Sequence, residues 1–238
     1  MSDFRRFFVD TVTDLTLIEG EEFRHAVSVL RIKAKEKVIL CDNTGLEYIG
    51  EVSEINKKDL IVSVTEKRQS QTEAKEEVTL ICGYLKGDKT ELVVQKAVEL
   101  GVKRIAVFNS EFCSAFMNEN KLSRLNRVSI ESAKQCGRAI APRVDYFDSL
   151  EKALEYGKQS KNKLFACEFA SENEADLKTI NGSTCIVVGS EGGFSKDEWK
   201  LAIEKGYKTV FLGKRILRAE TASIVLSGII MHSLGEME

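Results

Sequence analysis

Gly189-Ser190-Glu191-Gly192-Gly193-Phe194 and Leu212-Gly213-Lys214-Arg215-Ile216-Leu217-Arg218-Ala219-Glu220-Thr221-Ala222 decide how this chain is read. Each run follows a short apolar stretch of strand character, residues 184–188 and 209–211, and each leads into a helical pattern. Glycine lets a backbone turn sharply and come close to a ligand. Helix starts beyond such turns offer unpaired N–H groups and positive dipole ends. Two such loops at the ends of successive strands point to one shared pocket. They lack G-x-G-x-x-G and the Walker lysine, so neither a dinucleotide nor a triphosphate is favoured. The residues alone give a small-molecule pocket with polar backbone groups and a few charges, among them Glu191, Arg218 and Glu220 beside the turns. They do not name the molecule.

Outward from these loops, residues 78–238 alternate between strand and helix patterns. Strands are expected at 78–85, 104–108, 144–147, 163–167, 184–188 and 210–212, and helices at 89–100, 121–138, 150–159, 195–205 and 220–234. Ser195 with Glu198 three residues on reads as a capping box. Such alternation predicts a mainly parallel sheet covered by helices, with ligands outside the C-terminal strand ends, where both loops fall. The first seventy or so residues differ. They carry strand candidates at 37–41, 46–54 and 59–65, hairpin turns at 42–45 and 56–59, and one helical piece at 21–30 with Phe23, Val27 and Leu30 at helical spacing. Short antiparallel strands in so short a stretch suggest a small barrel. The polar run Arg68-Gln69-Ser70-Gln71-Thr72-Glu73-Ala74-Lys75-Glu76-Glu77 is the linker candidate.

With 238 residues, 43% of them hydrophobic and 30% charged, the chain has an ordinary globular composition. A net charge of −2 excludes a global basic field, so any nucleic-acid contact must be local. Six scattered cysteines without a C-x-x-C pair read as reduced thiols, and two distant histidines give no reason to expect a metal site. No run has the length of a membrane span and the N-terminus has no signal-peptide core, so a cytoplasmic protein without membrane contact is expected.

Three further features have two readings each. Gly83-Tyr84-Leu85-Lys86-Gly87-Asp88-Lys89-Thr90 resembles a phosphate loop, but Asp88 occupies the second glycine position and would repel phosphate. A strand-to-helix turn with Asp88 as N-cap is simpler. Arg124, Arg127, Glu131, Lys134 and Arg138 recur at steps of three and four, which makes either a solvated stripe or a phosphate-tracking surface. Lys121 and Arg143 flank that stripe, and Arg24, His25, Arg31, Lys33, Lys35 and Lys37 form a second basic cluster. The final helix is apolar around most of its circumference, as a core helix or half of a dimer interface would be, with the dimer slightly favoured.

The two opening runs resemble the RsmE family, bacterial 16S rRNA uridine N3-methyltransferases of the SPOUT superfamily. His25-x-x-x-Val29-Leu30-Arg31, Lys86-Gly87-Asp88-Lys89 followed by Gln95-Lys96-x-x-Glu99-Leu100-Gly101, and Glu131-x-x-x-Gln135-Cys136-Gly137-Arg138 extend the resemblance along the chain. The resemblance implies a PUA-like RNA-binding β-barrel over residues 1–72 and a SPOUT trefoil-knotted α/β methyltransferase domain over 73–238. It implies an obligate homodimer, S-adenosylmethionine in the knot, and 16S rRNA or the small ribosomal subunit as substrate, methylated at N3 of one uridine in the decoding region. Cofactor contacts fall on Gly189, Ser190, Glu191, Gly192, Gly193, Leu212, Gly213, Ile216, Leu217, Arg218, Thr221 and Ala222. Arg218 is assigned to developing negative charge, Glu191 or Glu220 to proton acceptance or orientation, and Arg138 to an approach to the pocket, from its own or from a second subunit. RNA contacts are assigned to Arg5, Arg6, Arg24, His25, Arg31, Lys86, Arg124, Arg127 and Lys134. Two positions depart from the family pattern. Ser190 replaces a proline, which implies a looser loop and weaker cofactor binding, and Phe112 replaces a frequent arginine. The rival readings are another SPOUT enzyme acting on tRNA or a ribose hydroxyl, and a non-catalytic RNA-binding assembly factor.

Overall fold

Apolar residues between Phe7 and Val62 recur along five short stretches, and these fold as β-structure. The computed structural model describes residues 4–113, 115–168 and 174–237. The strands are β1 (Arg5–Phe8), β2 (Leu15–Glu19), β3 (Lys37–Cys41), β4 (Leu46–Ile55) and β5 (Asp59–Gln69), in the sheet order β1-β3-β4-β5-β2. Within this sheet, among the described residues, only β1 and β3 pair in parallel. Phe7 from one edge strand and Ile18 from the other enter the same buried cluster with Val38, Leu40, Val52 and Leu60. A sheet whose two edges share one core must curl, and register shifts at Ile49/Gly50 and Val52/Glu54 in β4 supply the bends.

The expected helix at 21–30 is not regular. A short α1 (Gly20–Arg24) passes into a π-helical turn, His25–Val29, closed by the Leu30 N–H donating to the His25 carbonyl at 3.0 Å. The wider turn rotates the following side chains, so Ala26 is buried and Val29 is exposed. The linker candidate is also partly structured. β5 runs through Arg68 and Gln69, Ser70 is buried, and the Glu73 carboxylate accepts the N–H groups of Ala139 and Ile140 at 2.9 and 3.0 Å.

By compactness the chain divides into two units. One comprises Met1–Glu73 with Ala133–Ala141, and the other Ala74–Ser132 with Pro142–Glu238. In the second unit β6 (Val78–Gly83), β7 (Arg104–Phe108), β8 (Val144–Phe147), β9 (Asn162–Ala166), β10 (Thr184–Val188) and β11 (Lys208–Val210) form an all-parallel sheet. Its order is β11-β9-β10-β6-β7-β8. Every residue of the central strands β6 and β10 is buried, as expected for strands covered on both faces. The helices are α2 (Lys89–Glu99), α3 (Glu119–Cys136), α4 (Leu150–Tyr156), α5 (Lys196–Glu204) and α6 (Ala219–Ser233). α6 packs against α2, β6 and β10, while α4 meets β7, β8 and α5. After β11 at the sheet edge, the chain therefore doubles back toward the sheet centre, in the stretch where the resemblance places the knot.

All six cysteines are free thiols, four of them buried. Burial pushes the Cys41 thiol up to about 11 and those of Cys82 and Cys185 up to about 12, which keeps them protonated. Among the described residues no helix is long and apolar enough to cross a membrane.

Candidate active site

The first loop leaves β10 at Val188 and is fixed at nearly every residue. Gly189 and Ser190 are buried, and the Gly193 N–H closes a turn onto the Ser190 carbonyl at 3.0 Å. Phe194 inserts its ring against Phe165, with centroids 4.0 Å apart, so the loop is anchored in the core below it. The predicted capping box starts α5. Ser195 Oγ accepts the Glu198 N–H at 3.2 Å, and Glu198 Oε2 accepts the Ser195 N–H at 2.9 Å. The other Glu198 oxygen accepts the Glu111 N–H at 3.0 Å. Beside this loop β6 must end in glycine, because a Cβ on Gly83 would lie 2.4 Å from the Ser190 nitrogen.

Both departures from the family pattern acquire a role here. Ser190 Oγ lies 3.0 Å from Ser110 Oγ, and both residues are buried. Where the lost proline implied a looser loop, a hydroxyl pair that proline cannot make ties the ends of β7 and β10 together. Phe112 lies directly over Gly192, where a Cβ would come within 2.5 Å of the Phe112 Cβ. The Phe112 Cβ and carbonyl oxygen thus lie against the loop at Gly192, and the side chain offers no positive charge there.

Glu191 joins this loop to the turn before α2. Its Oε1 accepts the Lys86 N–H at 3.0 Å and lies 3.2 Å from Lys89 Nζ. Partial burial pushes its carboxyl up, but the Lys86 N–H, its own backbone and the Lys89 ammonium outweigh burial and hold it below the usual value. The segment resembling a phosphate loop is accordingly a carboxylate-binding turn. Asp88 stands at the N-cap position of α2 but makes no side-chain cap bond, and Thr90 Oγ1 instead accepts the Leu85 N–H at 2.9 Å.

The second loop is built differently. β11 stops at Val210, two residues earlier than expected, and residues 212–217 make no hydrogen bond to another described residue. Ile216 is 96% exposed. A cavity of about 300 Å³ is lined by Ala166, Cys167, Glu168, residues 210–217 and Ala222. It adjoins one of about 380 Å³ lined by Lys89, Ala166, Glu168, residues 188–194, 216–220 and Ala222. Ile216, Leu217 and Ala222 border both cavities, so the structure brings the two glycine-bearing loops to one place. Arg218 and Glu220 line the second cavity, and Thr221 lines neither.

The charges in the second cavity differ in their state of use. Glu220 Oε2 is buried without a hydrogen-bond partner in the first turn of α6. The Arg218 guanidinium is exposed and has no partner among the described residues. Glu168, Ala166 and Cys167 escaped the sequence reading, although their signal was available. They end a recognised strand, and the strand-end rule that located the two loops applies equally to β9.

The basic residues assigned to RNA differ in exposure and pairing. Arg24, Arg31, Lys86, Arg124 and Arg127 are exposed and His25 is half-buried. Arg124 pairs with Glu91 at 2.8 Å, and the Arg5 guanidinium lies 2.9 Å from Glu36. The stripe on the long helix does not persist. Lys134 is largely buried with Nζ 2.6 Å from Glu22. α3 ends at Cys136, and Gly137 turns the chain at φ +82°, which takes Arg138 off the helix. Arg138 is 2% exposed, and its Nε and Nη2 lie 3.1 and 2.9 Å from Glu73 Oε2. Arg6 is likewise buried, donating to Glu47 at 2.7 Å and to the Cys41 thiol at 3.1 Å.

Comparison with known proteins places this geometry. Residues 72–231 match the family model of the RNA methyltransferase domain, and residues 18–65 match the RNA methyltransferase PUA domain. The class is therefore that of RNA methyltransferases carrying a PUA domain. The chain is 32% identical over 224 residues to ribosomal RNA small subunit methyltransferase E of Mesomycoplasma hyopneumoniae (strain 232), covering 93% of this chain and 96% of the relative. It is also 32% identical over 219 residues to the protein of that name from Rickettsia conorii (strain ATCC VR-613 / Malish 7), covering 88% and 86% of the two chains. Among solved structures, ribosomal RNA small subunit methyltransferase E from Neisseria gonorrhoeae, bound to S-adenosyl methionine, superposes with a TM-score of 0.85 at 26% identity. That match covers 96% of this chain and 97% of the other. The chain belongs to the ribosomal RNA small subunit methyltransferase E family.

Proposed function

We propose that this protein transfers a methyl group from S-adenosylmethionine to N3 of one uridine in the decoding region of 16S rRNA. The observation that carries the reading is the pair of adjoining cavities holding an orphaned buried carboxylate, Glu220, beside an unpaired guanidinium, Arg218. The residues suit the cofactor. Residues 189–193 and 212–217 line the cavities and can offer backbone polar groups, Val210, Leu212 and Leu217 give apolar surface for an adenine, and three carboxylates, Glu168, Glu191 and Glu220, suit a cationic sulfonium. When bound, the cofactor supplies a methyl group already activated by positive charge on sulfur.

The chain's own task is positioning and proton removal. The uracil imide is a poor nucleophile until its N3 proton leaves, so a base and a counter-charge are required. Glu220 is the better base. Its free oxygen can accept the N3 proton, whereas Glu191 is already engaged by Lys86 and Lys89 and held below the usual carboxylate range. Glu191 orients the loop, and Arg218 stabilises the negative charge that develops on the uracil oxygens. Gly189, Ser190, Gly192, Gly193, Leu212, Gly213, Ile216, Leu217 and Ala222 hold the cofactor, with Thr221 opening α6 beside them.

Residues 1–72 act as the RNA-binding domain and 73–238 as the methyltransferase domain, working in the cytoplasm. A homodimer is supported by apolar residues left exposed on two helices that pack together, Leu92 of α2 and Val225 of α6. The test is mass mapping of small-subunit rRNA treated with the purified protein and S-adenosylmethionine. One new 3-methyluridine is expected. A methylated ribose or no product contradicts the reading.

A further inference from the structure

The first unit contains a cavity larger than either of those at the glycine-bearing loops, and the proposed chemistry does not use it. About 670 Å³ in volume, it lies between the start of β1, the end of β5 and residues 134–137. Arg5, Arg6, Arg68 and Lys134 border it; Glu36 pairs with Arg5, Glu22 with Lys134, and Glu47 is shared by Arg6 and Arg68, which leaves one positive charge in excess. On a chain of net charge −2 this excess is local.

Glu47 organises two of these cations. It is buried, with Oε1 2.7 Å from Arg6 Nη2 and Oε2 within 2.7 and 2.8 Å of Arg68 Nη2 and Nε. Burial pushes the Glu47 carboxyl up, but the two arginines outweigh it and keep it ionised. Buried ion pairs add little net stability, because desolvation offsets the attraction. Their firmer effect here is to fix two guanidinium planes. A guanidinium has five N–H donors. Arg68 spends Nε and Nη2 on Glu47, and its side chain remains 43% exposed at the cavity.

The rest of the lining matches a nucleotide that is not base-paired. Single-stranded RNA is held by cations on phosphate, by flat side chains against bases, and by amides on base edges. Phe4 is exposed, and Gln71 and Gln135 are exposed residues whose amides both donate and accept, Gln71 Nε2 donating one bond to the Gln69 carbonyl at 3.4 Å. We infer that this cleft is a second RNA subsite, holding one unpaired nucleotide of the rRNA substrate by phosphate contact to Arg68 and base-edge contact to Gln71 and Gln135. The inference rests on the proposed function for the identity of the RNA. It assigns Gln135, within the motif of residues 131–138, to substrate grip rather than to the cofactor.

The test uses the full-length protein, a fluorescein-labelled single-stranded hexaribonucleotide of mixed sequence, and small-subunit rRNA. Arg68→Ala should weaken hexaribonucleotide binding about tenfold and reduce the slope of log affinity against log salt by about 0.7, one single-strand phosphate contact. The exposed pair Gln71→Ala with Gln135→Ala should weaken binding severalfold with an unchanged salt slope, and should raise the KM for rRNA. S-adenosylmethionine affinity by calorimetry should not move in either variant. Wild-type protein that fails to bind the hexaribonucleotide, or variants that bind it as wild type does, would overturn the subsite. Wild type that binds the probe yet methylates no rRNA would instead overturn the proposed function and leave the subsite standing.

Discussion

The two glycine-bearing loops meet at one pocket but are held in opposite ways. Residues 189–194 are fixed by the Ser190–Ser110 hydroxyl pair, the Glu191 bonds to Lys86 and Lys89, the Phe112 contact at Gly192 and the Phe194 anchor. Residues 212–217 have no hydrogen bond to any other described residue and leave Ile216 almost wholly exposed. The difference suggests a division of labour. The first loop is a preformed template, and the second supplies groups whose partners arrive with cofactor and substrate. Unused groups, rather than charged ones as such, mark the reacting side.

The largest effect should come from the open side. Arg218→Ala should lower methyl transfer about 10²–10³-fold, the cost of removing one charge-stabilising donor, while calorimetry finds cofactor affinity unchanged. Full activity in this variant would break the comparison at its centre. Glu220→Gln should lower the rate constant for transfer by about 10²-fold or more, as expected for loss of a general base. Glu191→Gln should act mainly on cofactor affinity. Reversal of that split between kcat and cofactor binding would exchange the roles given to the two carboxylates.

Smaller effects sharpen the template side. Ser190→Ala should cost about 1 kcal/mol in urea melts, because the buried Ser110 hydroxyl loses its oxygen partner and keeps only the Cys113 thiol at 3.3 Å. The double variant Ser110→Ala, Ser190→Ala should cost less than the sum of the two single changes, and strict additivity would deny the coupling. The smallest effect concerns pH. Since the folded Glu191 value lies below the ordinary 4.5, its contribution is fully present above that pH and is lost as pH falls through the folded value. Wild type should therefore lose more stability than Glu191→Gln between about pH 5 and pH 3. Parallel curves would mean that the carboxylate bonds contribute nothing.

Much of this site was legible because its signals are local. Glycine runs after strands, the Ser195–Glu198 capping box and the alternation of strand with helix are each readable within a dozen residues. What escaped depends on contacts distant in sequence. Arg138 reads as one more charge on a helical stripe until Gly137 turns it toward Glu73, sixty-five positions earlier. Arg6 reads as a terminal basic residue until Glu47 and Cys41 enclose it. Ser190 reads as a lost proline until Ser110, on another strand end, supplies its partner. The π-helical turn at His25–Val29 keeps the apolar spacing of a helix while shifting which residues face inward, so periodicity alone could not separate the two.

The central claim is that two unlike loops form one cofactor pocket, and calorimetric titration of the purified protein with S-adenosylmethionine tests it most directly. The account predicts one site per chain, with affinity lowered by Glu191→Gln and unchanged by Arg218→Ala. Absence of binding, or binding indifferent to Glu191→Gln, would contradict it.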